Sequence, residues 1–241
     1  RAIAQGSSER NISAVVSTAD VKKALNVLHE EFFETTYKQI NLFITGTGNV
    51  GSKLLDQLRQ QQEYLASHLR LQIRVTGLAN SRKMIFSQDG IDLSQWKETL
   101  NNEGEPANLH SFVETIKRRN LRNTVFVDIT ASDKVPEVYE TLLRKSMTIV
   151  ACNKIAASSP YANYKQLKDL AREYNSRFLF ETNVGAGLPV IGTLNDLIGS
   201  GDRVNRIEAV LSGTLNFVFN NYDGSRPFSE VVRQAQEEGY T

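Results

Sequence analysis

The stretch "INLFITGTGNVGSKLLDQL", residues 40–58, constrains the fold more than any other. A run of mostly β-forming, apolar residues (40–45) leads straight into Gly46, Gly48 and Gly51. A helical repeat follows, with Val50, Leu54, Leu55 and Leu58 on one face. Alone, G-x-G-x-x-G is a weak pattern; between a strand and a helix it reads as a phosphate cradle. Gly46 can take the tight turn, Gly48 lets a pyrophosphate approach the backbone, and Gly51 lets the helix pack close on the strand. The helix start adds free N–H groups and about half a positive charge. A P-loop is the rival phosphate reading. Gly46 and Gly51 have its spacing, but Ser52 intervenes before Lys53 and no Ser or Thr follows that lysine. A turn that needs its glycines only for packing is the remaining alternative.

Strands and helices alternate from there. "LQIRVTGLA" (71–79) reads as a second strand, and residues 80–108 as a long irregular stretch with a helix start near Asp92. "LHSFVETIKRR" reads as helix, "TVFVDIT" (124–130) as strand, "VPEVYETLLRK" (135–145) as helix with Pro136 in its first turn, and "MTIVAC" (147–152) as strand. The rhythm predicts an α/β fold, a doubly wound parallel sheet of Rossmann type, whose ligands bind beyond the carboxyl ends of the strands. Past residue 160 it loosens. "YKQLKDLAREYN" predicts a helix, "RFLFETNV" a strand, "LPVIGTLNDLIGSGD" a helix with Pro189 at its start, and "NRIEAVLSG" a strand with Ile207, Ala209 and Leu211 on one face. We therefore expect a dinucleotide-binding domain over 37–155 and the beginning of an α+β domain over 156–241. Residues 1–36 carry a short strand (12–17) and a helix with Val21, Ala24, Leu25, Leu28 and Phe32 on one face. That piece is too small to bury its own core, so it reads as the end of a preceding domain or as a part packed on a partner.

Bulk properties exclude several classes. A net charge of +1 gives no electrostatic reason to expect nucleic acid or an acidic membrane surface as partner. No apolar run approaches the roughly 20 residues that span a bilayer. One cysteine, Cys152, fits a reducing compartment, and a cytoplasmic location is expected. The three histidines, His29, His68 and His110, lie too far apart for local metal-ligand spacing.

Which dinucleotide binds is written in the second strand's end. An NAD-specific site usually closes that strand with Asp or Glu on the ribose 2′-OH. Here "GLANSRKM" carries Ala79 and no carboxylate, and Arg82 and Lys83 arrive where a 2′-phosphate would sit. The pattern predicts NADP, with NAD admissible; ordinary solvated charges are the alternative reading of Arg82 and Lys83. "DITAS" (128–132) ends a strand with small and hydroxyl side chains suited to a nicotinamide ribose. "ACNK" (151–154) ends the next with Cys152 and Lys154. Lys154 is either a proton-handling or carbonyl-polarising group near the nicotinamide or a surface lysine. Cys152 beside Asn153 suggests an acylating aldehyde dehydrogenase, but a thiolate needs an activating base and no histidine follows His110.

G-x-G-N-V-G, "ANS", "NK", "ETNVGAGLPVI", "LSGTLNFVF" and "EEGYT", in this order, resemble the homoserine dehydrogenase family. The likeness spans nearly the whole chain. The leading "AQGSSERNISAVVS" with its helix looks like the end of the regulatory region of a bifunctional aspartokinase–homoserine dehydrogenase. The resemblance implies NADP-linked interconversion of aspartate 4-semialdehyde and homoserine, in threonine and methionine biosynthesis, by a homo-oligomer in the complete protein. It places Asn49, Val50, Arg82, Lys83, Thr130 and Ser132 on the cofactor. Lys154 falls where cofactor and substrate meet, in a catalytic role. Gly213, Thr214 and Tyr240 border the substrate pocket. Glu181, with backbone carbonyls near Val184, Ala186 and Leu188, holds a monovalent cation, sodium in the family. The family continues past "GYT" into an acidic stretch and then an Asp and a second Lys that serve catalysis. This chain therefore reads as a piece with an incomplete catalytic set, impaired in turnover. A non-catalytic cofactor-binding or regulatory fragment, or a Cys152-dependent acylating semialdehyde dehydrogenase, are the alternatives.

Overall fold

The computed structural model describes residues 2–5, 12–33 and 37–240. The chain divides into two compact units, residues 1–179 and 180–241.

The first unit opens with β1 (Ala2–Gln5) paired antiparallel to β2 (Ile12–Val15). A 3-10 turn at Thr18–Asp20 leads into α1 (Val21–Phe33). The expected strand 12–17 thus ends two residues early, and its partner β1 lies in a segment whose sequence gave no strand signal. The apolar positions Val21, Leu25, Leu28 and Phe32 stand exposed, Phe32 at 73 %. A helix with one apolar stripe normally buries it against another layer.

The main sheet begins at β3 (Lys38–Thr45), followed by α2 (Asn49–Leu69) and β4 (Leu71–Ala79). Next come β5 (Lys83–Phe86), α3 (Trp96–Glu103), β6 (Glu105–Pro106) and α4 (Leu109–Arg119). Then follow β7 (Thr124–Asp128), α5 (Tyr139–Leu143), β8 (Thr148–Ala151), α6 (Ile155–Ser158), α7 (Tyr161–Glu173) and β9 (Phe178–Leu179). The strands lie in the order β6-β5-β4-β3-β7-β8-β9. Neighbours from β4 through β9 pair parallel, while β5 and β6 add an antiparallel edge. The expected α/β, Rossmann-type winding is present, and the sheet is mixed rather than wholly parallel.

Residues 41–45 of β3 are all buried, because a central parallel strand is covered on both faces. Leu42 and Ile44 join Leu55 of α2 and Trp96 and Leu100 beyond β5 in one core. Phe43 points to the opposite face, edge-on to Phe112 of α4 at 6.3 Å, with Phe86 stacked on Phe112 at 5.0 Å. Alternation along one strand thus feeds two helical layers. Helix α4 is well specified: Asn108 accepts the Ser111 N–H at 2.9 Å, and Asn120 closes the helix in the left-handed region. Between β3 and β4 the register slips at Leu42/Phe43, leaving Thr76 as the extra residue.

Three sequence expectations in 80–145 need correction. The irregular stretch contains β5 and β6. Its helix starts at Trp96 rather than near Asp92, whose carboxylate instead accepts the Ser94 N–H and hydroxyl at 2.8 and 2.7 Å. Val135–Val138 is a 3-10 turn before α5, so the helix expected over 135–145 is shorter.

The second unit starts with a 3-10 turn at Glu181–Asn183, so only Phe178–Leu179 of the expected strand 177–184 is strand. It continues with α8 (Val190–Gly199), for which Pro189 is the cap residue, α9 (Gly213–Asn221) and α10 (Phe228–Glu237). Val218, Val231 and Ala235 form its small core. The strand expected over 205–213 is absent: residues 202–212 carry no regular structure, and Ile207, Val210 and Leu211 are exposed. Alternation marks a two-sided surface, but a strand exists only on a ladder, and no described strand pairs with this one.

Candidate functional site

The strand order reverses between β3 and β7, and open α/β sheets hold ligands in the crevice beyond such a switch point. A cavity of about 750 Å³ lies there, at the ends of β3, β4 and β7. Gly46, Gly48, Ala79, Arg82, Thr130 and Ser132 are among its walls.

Each glycine of the turn has its own steric reason. Gly46 has φ +97°, and a Cβ on it would sit 2.5 Å from the carbonyl oxygen of Ile129. Gly51 is buried, and a Cβ there would run into the Gly46 carbonyl. Gly48 caps α2, and a Cβ on it would meet nothing within 4 Å. Packing explains Gly46 and Gly51. It does not explain Gly48, whose bareness keeps the cavity floor open to a ligand. Asn49 and Val50 lie exposed in the first turn of α2. The N–H groups of that turn have no intrahelical acceptor; the Ser52 N–H makes the first such bond, to Gly48 at 2.9 Å. Such a cradle fits a diphosphate.

On the β4 side, Asn80 fixes the turn that carries the two cations. Its side-chain oxygen accepts the N–H groups of both Arg82 and Lys83 at 2.8 Å. The Lys83 ammonium donates to the carbonyl of Asn101, near the end of α3. Arg82 is exposed, and among the described residues its guanidinium has no carboxylate partner.

On the β7 side stands a group that the sequence reading left unassigned. Asp128 is fully buried and accepts four hydrogen bonds. Thr130 donates its N–H at 2.8 Å and its hydroxyl at 2.7 Å to Oδ1. Tyr139 donates its hydroxyl at 2.6 Å and Asn153 its amide at 3.1 Å to Oδ2. Burial, then the neighbouring Asp128 charge, drives the Tyr139 pKa far above the ordinary phenol value. Asn153 also donates to the Ser132 carbonyl at 2.8 Å and accepts the Ile155 N–H at 3.0 Å. Lys154, between these two residues, is exposed at the start of α6. Cys152 is half-buried and donates its N–H to the Asp128 carbonyl at 2.8 Å.

In the second unit Thr214 donates its hydroxyl to the Tyr240 carbonyl, so two of the three expected substrate residues are neighbours. Gly213 opens α9, whose cap Ser212 accepts the Leu215 N–H at 3.1 Å. Tyr240 stacks on Phe217 at 4.4 Å. Both oxygens of Glu181 accept amides of α8, from Ile191 at 2.8 Å and Gly192 at 2.7 Å. The loop after it turns through Gly185 (φ +71°) and Ala186 (φ +51°). The Leu188 carbonyl accepts the Val190 N–H at 2.9 Å, and the Glu181 carbonyl accepts the Val184 N–H at 3.3 Å.

The family profile described as "Homoserine dehydrogenase, NAD binding domain" matches residues 46–181, and one described as "Homoserine dehydrogenase" matches residues 189–241. The chain belongs to the homoserine dehydrogenase family. A third profile, described as "ACT domain", matches residues 1–32. Among similar relatives is the chloroplastic bifunctional aspartokinase/homoserine dehydrogenase 1 of Zea mays, 43 % identical over 244 residues. The match covers 100 % of this chain and 26 % of that protein. The bifunctional aspartokinase/homoserine dehydrogenase of Haemophilus influenzae is 39 % identical over 240 residues, covering 100 % of this chain and 29 % of its own. This chain thus spans between a quarter and a third of the length of these relatives. A hyperthermophilic archaeal homoserine dehydrogenase in complex with NADPH superposes with a TM-score of 0.68 at 26 % identity, covering 84 % of this chain and 62 % of that one. The homoserine dehydrogenase of Thermoplasma acidophilum shares the fold, with a TM-score of 0.68 at 21 % identity over 85 % of this chain and 62 % of its own.

The sequence reading gave Asp128 no role, and it named Asn153 only as the neighbour of Cys152. The signal available was a carboxylate at the end of an apolar strand, where an unpaired charge would be expensive. Among the described residues, no cluster of three side chains of metal-ligating type occurs, and no helix is long and apolar enough to cross a membrane.

Proposed function

We propose that this chain is the NADP-linked segment of a homoserine dehydrogenase that interconverts aspartate 4-semialdehyde and homoserine. One observation carries the reading: a helix-start cradle left bare at Gly48, at the sheet's switch point, in a chain of this family. Gly46, Gly48, Asn49, Val50 and Gly51 would hold the diphosphate. Arg82 would pair with the 2′-phosphate, with Ala79 leaving room beside it. Thr130 and Ser132 would face the nicotinamide half. When bound, the reduced cofactor supplies the hydride. Lys154 polarises the aldehyde oxygen and delivers its proton. Thr214, Gly213 and Tyr240 border the substrate.

The cation reading concerns the loop after Glu181. Each carboxylate oxygen of Glu181 accepts one amide and keeps a further lone pair, so Glu181, with the backbone carbonyls of Val184, Ala186 and Leu188, would hold sodium. The exposed stripe of α1 and the ACT-domain match support residues 1–36 as the end of a regulatory region, ahead of a dinucleotide-binding domain (37–155) and a substrate domain (156–241). The exposed Ile207, Val210 and Phe219 suit assembly as a homo-oligomer, and the single cysteine suits the cytoplasm. Because the relatives are three to four times longer, we expect this segment alone to bind cofactor well and to turn over slowly.

NADPH titration followed by turnover with aspartate 4-semialdehyde tests the assignment. Saturable NADPH binding and semialdehyde-dependent NADPH oxidation, however slow, support it. Binding without any turnover favours a cofactor-binding fragment. Phosphate-dependent reduction of NADP that is lost in Cys152→Ser favours an acylating enzyme instead.

A further inference from the structure

We infer that Asp128 is a positioning residue that holds the nicotinamide-side loop and the Lys154 backbone in one fixed arrangement. The inference rests on the functional reading above and extends it to a residue that touches no reactant.

A carboxylate at the end of a sheet strand normally reaches water. This one is fully buried, and its ordering of the chain runs in two directions. Toward the cavity it takes both the N–H and the hydroxyl of Thr130, which closes an Asx-type turn and sets the path of residues 130–132 along the cavity wall. Toward Lys154 it takes the amide of Asn153. That same amide group donates to the Ser132 carbonyl, and its oxygen accepts the Ile155 N–H. One side chain therefore ties the end of the wall loop to the residues on either side of Lys154. Tyr139 supplies the fourth donor from α5 and closes the carboxylate off from below.

Topology says which half of a dinucleotide this affects. The cradle follows β3, the turn that carries Arg82 follows β4, and β7 lies on the other flank of β3. In an open α/β sheet the adenosine half lies toward one flank of the switch point and the nicotinamide half toward the other. Asp128 sits at the end of β7. Loosening its loop should weaken the grip on the nicotinamide half and leave the adenosine half alone. A general loss of folding would weaken both.

The test compares NADPH with adenosine 2′,5′-bisphosphate, which lacks the nicotinamide half, as ligands of the wild-type chain and of Asp128→Asn. The variant keeps the shape but turns one acceptor into a donor, which then faces either the two Thr130 donors or the Tyr139 and Asn153 pair. Expected is a loss of about tenfold in NADPH affinity, the scale of one hydrogen bond to a charged group, with bisphosphate affinity unchanged. Tyr139→Phe serves as the control: it removes a donor to the same carboxylate that belongs neither to residues 130–132 nor to 153–155, lowers the melting temperature, and should leave the ratio of the two affinities where it was. If Asp128→Asn does not fold, Asn153→Ala makes the same comparison with the carboxylate intact. Equal losses for both ligands, or none for either, overturn the inference while the functional reading stands. A wild-type chain that binds neither ligand overturns the functional reading and the inference with it.

Discussion

The carbonyl of Gly46 fills the space that a side chain on Gly51 would need, with its carbon 2.9 Å from where that Cβ would be. Helix α2 can therefore start this close to β3 only while Gly51 stays bare. Gly48, two residues on from Gly46, meets nothing within 4 Å. The two positions should fail differently. Gly51→Ala forces backbone against backbone and should destabilise the fold by about 1–3 kcal/mol. Gly48→Ala changes only a cap residue and should stay within about 1 kcal/mol, yet reduce NADPH affinity by roughly tenfold or more, because its methyl enters the cradle. Thermal melts and NADPH titrations of both variants check this. A Gly48→Ala chain with wild-type affinity would mean that the cradle holds no diphosphate.

Arg82 and Lys83 are neighbours in sequence with different duties. Lys83 gives its ammonium to Asn101 at the C-terminal end of α3, where a cation also meets the helix dipole favourably. Arg82 is exposed at the cavity rim. Arg82→Ala should therefore weaken NADP by about tenfold and leave NAD unchanged, with the gap shrinking as salt rises. Lys83→Met should cost about 0.5–1 kcal/mol of stability and affect both cofactors alike. Asn80→Asp keeps the acceptor for both turn amides but sets a negative charge there, so it should shift preference toward NAD. Paired titrations with NAD and NADP measure all three, and equal loss of both cofactors in Arg82→Ala would refute the phosphate-reading role.

What could be read from the residues, and what could not, divides along physical lines. The β3–α2 junction was legible because a buried parallel strand, a glycine turn and an amphipathic helix each leave their own local period. β5 and β6 were not, since strands of four and two residues are too short to show alternation. The stretch 205–213 failed the other way: its alternation is real, but pairing is a property of a partner strand and not of the segment. For Asp128 only its place at the end of an apolar strand was legible, because burial of a carboxylate is decided by donors from three places in the chain, Thr130, Tyr139 and Asn153. Residues at 6–11 and 34–36 of the expected regulatory piece and its junction, and Thr241 of "EEGYT", lie outside the described residues.

The Tyr139–Asp128 bond predicts a specific response to alkali. The phenol of Tyr139 holds its proton in the folded chain to a pH well above that of an unfolded tyrosine, through burial first and the Asp128 charge second. Its contribution is complete below about pH 10, the unfolded value. Above that, the unfolded chain releases the proton and the folded chain does not, so stability falls as pH rises. Tyr139→Phe should be less stable than wild type by about 1.5–3 kcal/mol near neutrality. The difference should narrow above pH 10, by up to about 1.4 kcal/mol per pH unit. Urea melts of the two chains between pH 8 and 11 give that difference directly. A gap that stays constant across the range would rule the linkage out.

Glu181 closes the start of α8 from outside the helix. Its two oxygens take the N–H groups of Ile191 and Gly192, two of the donors that no helix can satisfy internally. The negative charge also meets the positive end of the helix. Gly192 permits the approach: a Cβ there would come 3.2 Å from Oε2, so the carboxylate would have to give way to any larger residue. Glu181→Gln removes the charge and replaces one acceptor by a donor, and should cost about 0.5–2 kcal/mol, the range of a lost helix cap. The loss should appear locally, as faster amide exchange at Ile191 and Gly192. Sodium separates this capping role from cation binding. If the carboxylate shares in holding the ion, sodium chloride in place of choline chloride should raise the melting temperature of wild type more than that of Glu181→Gln. A sodium effect of the same size in both would show instead that backbone carbonyls alone meet the ion.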